Sequence, residues 1–145
     1  MEIFTIGYTK KSAAEFFDLL KLRGIRRVLD IRLRNTSQLA GFSKRDDLAY
    51  FLRQICDCDY IHEPRLSPTE ELLSAYQAKE VDAAEYERQF KAILRERRPE
   101  QWLDPEDFQT PTVLLCAEPK ADKCHRRLVA EYLREHWDGV KITHL

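Results

Sequence analysis

The apolar positions of the chain fall into two rhythms. Short β-branched or aromatic runs alternate with stretches in which apolar residues recur every three or four positions. The first run, Glu2 to Ile6, ends at Gly7. Ser12 and Glu15 then have the spacing of a capping box, and Ala13, Phe16, Phe17, Leu19 and Leu20 form one broad apolar face. Gly24 suits the end of that helix, and Arg27-Val28-Leu29-Asp30-Ile31 reads as a buried strand. After a polar stretch from Arg32 to Gly41, Ser43 and Asp46 are expected to cap a helix carrying Leu48, Phe51, Leu52 and Ile55 at i, i+3, i+4 and i+7. Asp59 to His62 is a short strand closed by Pro64. Ser67-Pro68-Thr69-Glu70 reads as a helix start with Ser67 as the cap and Pro68 at the first helical position.

The spacing predicts a further helix from Ala83 to Arg97 with Tyr86, Phe90, Ile93 and Leu94 on its inner face. Thr112-Val113-Leu114-Leu115-Cys116 has the continuous apolar character of a strand covered on both faces. Asp122 is the expected cap of a last helix whose Leu128, Val129, Tyr132, Leu133 and His136 share a face. Gly139 ends it, and Val140 to His144 supplies a final strand. Strands alternating with helices imply a single three-layer α/β domain, Rossmann-like, with a mostly parallel sheet of about five strands flanked by helices. The expected strand order is 3-2-1-4-5, and no shift of composition over residues 1–145 marks a second domain.

Composition narrows the function classes. A length of 145 residues is enough to bury a core, and 24 basic against 25 acidic residues give a formal charge of −1. That balance argues against wholesale wrapping of nucleic acid, which leaves a basic footprint. Arg95, Arg97 and Arg98 read as a solvated helix end. No apolar run reaches the ~18 residues of a membrane span, and the opening residues lack the basic leader of a signal peptide. A cytoplasmic location follows as the expectation. There Cys56, Cys58, Cys116 and Cys124 would be free, metal-bound or redox-active thiols rather than structural staples.

The candidate chemistry gathers where strands end. In open α/β sheets ligands bind beyond the carboxyl ends of the strands. Gly7, Tyr8 and Thr9 follow the first strand; Asp30, Arg32, Arg34 and Asn35 follow the second. Cys116, Glu118 and Lys120 follow the fourth, with Cys124, His125 and Arg126 opening the next helix. Cys116 or Cys124 could act as nucleophile or redox thiol, with His125, Glu118 and Asp30 as acid/base or orienting groups. A helix N-terminus alone lowers a thiol pKa by under about one unit, so a cation such as Arg126, Arg32 or a protonated His125 must help. Arg32, Arg126, Arg34, Asn35 and the Gly7–Thr9 turn would hold an anionic group of a small substrate. A second reading is a non-catalytic module that uses the same arginine-rich edge for an anionic ligand, a nucleic-acid end or a protein partner. Cys116, Cys124 and His125 could also supply three metal ligands, with Cys58 or His62 as a fourth. The pairs lack the Cys-x-x-Cys spacing of structural zinc sites, so neither a metal nor a cofactor is expected. His136 and His144 are expected to pack or to sit in solvent.

Several segments together resemble the domain of unknown function 488 family: Thr5-Ile6-Gly7-Tyr8-Thr9, Asp30-Ile31-Arg32, Phe42-Ser43, Tyr60-Ile61-His62, Leu115-Cys116-Ala117-Glu118 and Cys124-His125-Arg126. They run through the chain in family order. The resemblance implies an α/β fold and a shared site, and no assigned reaction. One departure is Tyr8, where the family often has histidine. The Asp-x-Arg after an early strand, and a cysteine ending a strand that leads into a helix, are also similar to rhodanese-type sulfurtransferases. There, however, the arginine lies inside the cysteine loop, whereas Arg126 follows Cys116 by a longer path.

Overall fold

The computed structural model describes residues 1–36, 41–117 and 124–145. Five strands form one all-parallel sheet: β1 (Glu2–Gly7), β2 (Arg27–Asp30), β3 (Asp59–His62), β4 (Thr112–Cys116) and β5 (Lys141–His144). Their spatial order is β3-β2-β4-β1-β5, so the expected 3-2-1-4-5 is corrected by an exchange of β1 and β4. Both orders bury these two strands on both faces, and hydrophobic content therefore cannot choose between them. Specific pairings do. Pro111 accepts backbone hydrogen bonds from Arg26 and Arg27, and Arg27 Nε donates to Thr112 Oγ1, which ties β2 to β4. Thr5 Oγ1 and His144 Nδ1, 2.6 Å apart, tie β1 to β5. The edge strands β3 and β5 are the ones whose sequences mix polar with apolar residues, as an edge requires.

Alternation along each strand sends side chains to two cores. On one face α1 (Ala13–Leu22), α2 (Arg45–Phe51) and the turn after α2 press Phe16, Phe17, Leu20, Leu48 and Leu52 onto Phe4, Ile6, Val28, Val113 and Leu115. On the other, α3 (Glu70–Gln77), α4 (Ala83–Arg97) and α6 (His125–His136) cover Ile3, Leu29, Leu114 and Cys116. The four-residue α5 (Pro99–Trp102) joins this second layer through Trp102. Burial of side chains such as Phe16, Phe90 and Leu133 contributes roughly 1.5–3 kcal/mol each before chain entropy is counted.

Helix boundaries test the capping arguments one at a time. The Ser12–Glu15 box closes in both directions, and Gly24 takes the left-handed conformation just past α1, with φ 66°. Asp82 caps α4 over the expected span. Two starts are corrected. Lys44, not Ser43, precedes α2 and offers no side-chain cap, because Ser43 is buried in a short 3₁₀ turn, Gly41–Ser43. Thr69, not Ser67, caps α3, its hydroxyl accepting from the Leu72 N–H, while Ser67 Oγ donates to Pro64 O at the end of another 3₁₀ turn. After α2 the helix widens into a π-turn over Leu52–Cys56, which rotates Ile55 off the inner face; it is 42% exposed. Asp122 lies outside the described residues, and the residue that precedes α6 is Cys124, without a side-chain cap. His136 turns to solvent, stacked on Tyr132 with ring centroids 4.1 Å apart.

Candidate functional site

The corrected strand order decides what meets at the carboxyl edge. Because β4 lies between β2 and β1, Cys116 is in register with Gly7 on one side, and Leu115 with Asp30 on the other. Residue parity then divides the predicted site residues between the two faces of the sheet. Cys116 points with Leu114 towards α6, whereas Asp30 follows Val28 to the face of α1 and α2. Two clusters result, where the sequence implied one.

The first cluster is the sulfur site. Cys116 and Cys124 are joined by a disulfide, with Cα atoms 7.1 Å apart. Cys116 ends β4 fully buried; Cys124, just before the first turn of α6, is 7% exposed. From that first turn Arg126, also fully buried, donates through Nη1 to Cys116 Sγ at 3.2 Å and through Nε to Thr5 Oγ1 at 3.3 Å. The Thr5 hydroxyl proton is thereby left for His144 Nδ1. His125 Nε2 lies 2.7 Å from Ile31 O and, since a carbonyl only accepts, carries the proton. In the neutral ring Nδ1 is therefore a bare acceptor, 3.8 Å from Cys124 Sγ. Burial, with a contribution from Arg126, pushes the His125 pKa down to about 4, against the hydrogen bond to Ile31 and the charge of Asp30. A neutral imidazole thus faces one sulfur and a guanidinium faces the other.

The second cluster is a saturated ion pair. Arg32 Nε and Nη2 each reach an Asp30 oxygen at 2.8 Å, and the Arg32 backbone N–H adds a third bond at 3.1 Å. Tyr60 donates its hydroxyl to Asp30 at 2.5 Å, and Asn35 Nδ2 lies 3.3 Å from both. Burial by itself would raise the Asp30 pKa, but the Arg32 fork and charge and the Tyr60 hydroxyl outweigh it and hold the carboxyl below its usual range. Tyr8 lies under the Arg32 guanidinium, 5.2 Å from ring centroid to Cζ. These groups satisfy one another, so Asp30 and Arg32 hold the segment after β2 instead of presenting free charge.

Other predicted residues take lesser places. Thr9 donates its N–H to Ala117 O, pinning the turn after β1 to the end of β4. Arg34 points away, to Glu70, Gln77 and Ser74 of α3. His62 bonds through Nε2 to Arg32 O, so it braces the same segment from β3. Cys58 is buried and its thiol pushed up to about 12 by burial, Cys56 and Asp59, which leaves it inert. Glu118 and Lys120 lie outside the described residues.

Sequence reasoning missed Thr5, His144 and Lys11. Thr5 is a polar residue on the interior of a buried strand, and that parity was a usable signal. Lys11 Nζ donates to Gly7 O at 2.9 Å, and burial, then the charge of Arg126, lowers its pKa. Nothing in the spacing marks His144. An apolar groove of about 530 Å³ between α1 and α2, lined by Phe17, Phe42, Phe51 and Ile55, also went unforeseen; it contains none of the predicted site residues. Among the described residues no helix is long and apolar enough to cross a membrane.

Neither a search of the curated proteins nor one of the solved structures found a match. A family model does match, and its span includes both cysteines, His125, Arg126 and the Asp30–Arg32 fork, while Thr5 and the Gly7–Thr9 turn precede it. The chain belongs to the family described as Domain of unknown function DUF488, matched over residues 12–133.

Proposed function

We propose that this protein is a cytoplasmic thiol–disulfide enzyme whose working pair is Cys116 and Cys124. The observation that carries the reading is the contact of the buried Arg126 guanidinium with Cys116 Sγ while Cys116 is bonded to Cys124. A cation beside one sulfur of a disulfide makes that sulfur the better leaving group, because it stabilises the thiolate that departs.

The roles follow from access. Cys124 borders a small recess of about 30 Å³ shared with Tyr76, Tyr86, Glu87 and Arg127, and Cys116 has no exposure. A substrate thiolate attacks Cys124 Sγ; the substrate–Cys124 bond forms, the Cys124–Cys116 bond breaks, and Cys116 leaves as the thiolate held by Arg126. A second substrate thiol, deprotonated as it attacks the substrate sulfur, releases the substrate disulfide and Cys124 thiolate. The proton of the second thiol passes to the departing Cys124 thiolate, and the thiol so formed donates to the neutral His125 Nδ1 beside it. Two electrons pass from the substrate to the protein, and the reverse sequence reduces a substrate disulfide. The Arg126 guanidinium, with the Lys11 ammonium in its field, favours a substrate with an anionic group near its sulfur.

The test is mixed-disulfide trapping. Cys116→Ser should accumulate an adduct at Cys124 with 2-mercaptoethanesulfonate disulfide faster than with the neutral mercaptoethanol disulfide, read by mass spectrometry. Cys124→Ser should not exchange at either rate. Equal labelling of unfolded and folded protein, or exchange that survives Cys124→Ser, refutes the assignment. Retention of anion binding by both cysteine variants, with loss in Arg126→Gln, would favour the non-catalytic reading instead.

A further inference from the structure

The sulfur site has a second chemistry once the disulfide is open. Among the described residues, Cys116, Cys124 and His125 form the one group of histidine, cysteine and acidic side chains arranged to share a cation, with ligand atoms within 4.8 Å of one another. A metal with bonds of about 2.3 Å to sulfur and 2.0 Å to nitrogen holds its ligand atoms roughly 3.5–4 Å apart, so small side-chain rotations bring the three into range. Cα atoms 7.1 Å apart leave the sulfurs room to part without moving β4 or α6.

The histidine is prepared for this role by the contact that sets its tautomer. Ile31 O takes the Nε2 proton, which fixes the tautomer with its bare nitrogen beside Cys124 Sγ. A second hydrogen bond from the far ring nitrogen to a carbonyl is the usual support of a metal-bound histidine. Cys116 has no exposure and Cys124 and His125 only 7% and 8%, which favours protein ligands over water in the shell. Two thiolates and one imidazole suit a soft cation of low coordination number. Cu(I) with two thiolates carries one negative charge, and Arg126, already on Cys116 Sγ, supplies the positive charge that offsets it.

We propose that the reduced Cys116–Cys124 pair and His125 Nδ1 bind one Cu(I) ion in a buried, three-coordinate site. Binding releases two thiol protons to solvent. A thiol or phosphine reductant opens the site, and oxidation to the disulfide closes it. The inference does not rest on the exchange reading, since a protein that fails to exchange could still hold the ion.

The experiment is anaerobic titration of the full chain with Cu(I) against bicinchoninate, after reduction with tris(carboxyethyl)phosphine. Reduced protein should take one equivalent. Cys116→Ser and Cys124→Ser should each bind at least ~100-fold more weakly and His125→Ala at least ~10-fold, while the Cys56→Ser/Cys58→Ser double variant is unchanged. X-ray absorption of the unmutated Cu(I) protein, which needs no variant to fold, should show two sulfur ligands and one nitrogen. The proposal is overturned by equal binding to the oxidised protein, by a shell without nitrogen, or by loss of the site in the Cys56/Cys58 variant. Tighter, four-coordinate binding of Zn(II) in a parallel titration overturns it as well.

Discussion

Replacing Arg126 with glutamine separates a structural cation from a functional one. The side chain is fully buried and donates to Cys116 Sγ at 3.2 Å. A hydrogen bond to a charged group is worth about 1.5–3 kcal/mol, or roughly one to two pKa units of a thiol whose ordinary value is ~8.5. Arg126→Gln should therefore raise the Cys116 pKa by that amount in the reduced protein. The effect on reduction potential depends on pH, because only the thiolate is stabilised. At pH 7 the thiol is partly ionised even with Arg126, so the variant should lie only about 5–20 mV below the parent. At pH 9, where Cys116 is ionised in the parent and less so in the variant, the gap should widen to about 30–60 mV, the variant being the poorer oxidant. Equilibration with glutathione at the two pH values, read by alkylation and mass spectrometry, measures it. Arg126→Lys should fall between the two, and circular dichroism confirms that each variant is folded. A gap that is absent at pH 9, or of opposite sign, refutes the role given to Arg126.

Asp30→Asn should cost about 3–5 kcal/mol in urea unfolding, because it leaves the buried Arg32 guanidinium without its counter-ion; a loss under ~1 kcal/mol would show the pair to be solvent-screened. Since the Asp30 pKa is depressed on folding, its contribution is present above the unfolded carboxylate value near ~3.9 and is lost as pH falls through the lower folded value. His125 acts at higher pH. Its pKa falls from 6.5 to about 4 on folding, so the unfolded chain takes up the proton first. Stability should decline by about 3 kcal/mol between pH 6.5 and 4, and His125→Gln should flatten that slope in thermal melts. Asp82→Ala should lower stability by about 0.5–2 kcal/mol through loss of the α4 cap, whereas Ser43→Ala should leave the start of α2 unchanged by circular dichroism.

Elements with one dominant signal were legible in the sequence. The five buried residues of β4 mark a strand by burial alone, and the 3.6-residue periodicity of α4, with Asp82 capping its start, marks a helix. The start of α3 was not. Ser67 and Thr69 carry equivalent hydroxyls, and tertiary packing chose between them by burying Ser67 in the preceding turn. Strand order was illegible for a related reason: β1 and β4 are equally buried, and the hydrogen bonds of Arg27 and Thr5 that distinguish them join residues far apart in sequence. The candidate site shows both cases. Cys124, His125 and Arg126 are adjacent, so one helix turn brings them together. The assignment of Asp30 and Arg32 to the same centre failed because loop proximity says nothing about which face of the sheet a side chain takes.

The two clusters nevertheless meet through backbone. Residues 30–32 carry the buried fork on one face, and on the other offer Ile31 O to His125. His62 holds the next carbonyl, Arg32 O, from β3. A ring nitrogen facing Cys124 is useful only if its tautomer is fixed, and the carbonyl that fixes it lies just past the end of β2, where the Ile31 N–H still donates to Leu115 O of β4. The fork, the Tyr60 hydroxyl and His62 add to the rigidity that this bond to β4 provides. Asp30 and Arg32 are in this sense positioning residues. Their charges are consumed in holding a carbonyl still, while the charge that meets sulfur comes from Arg126 on the opposite face.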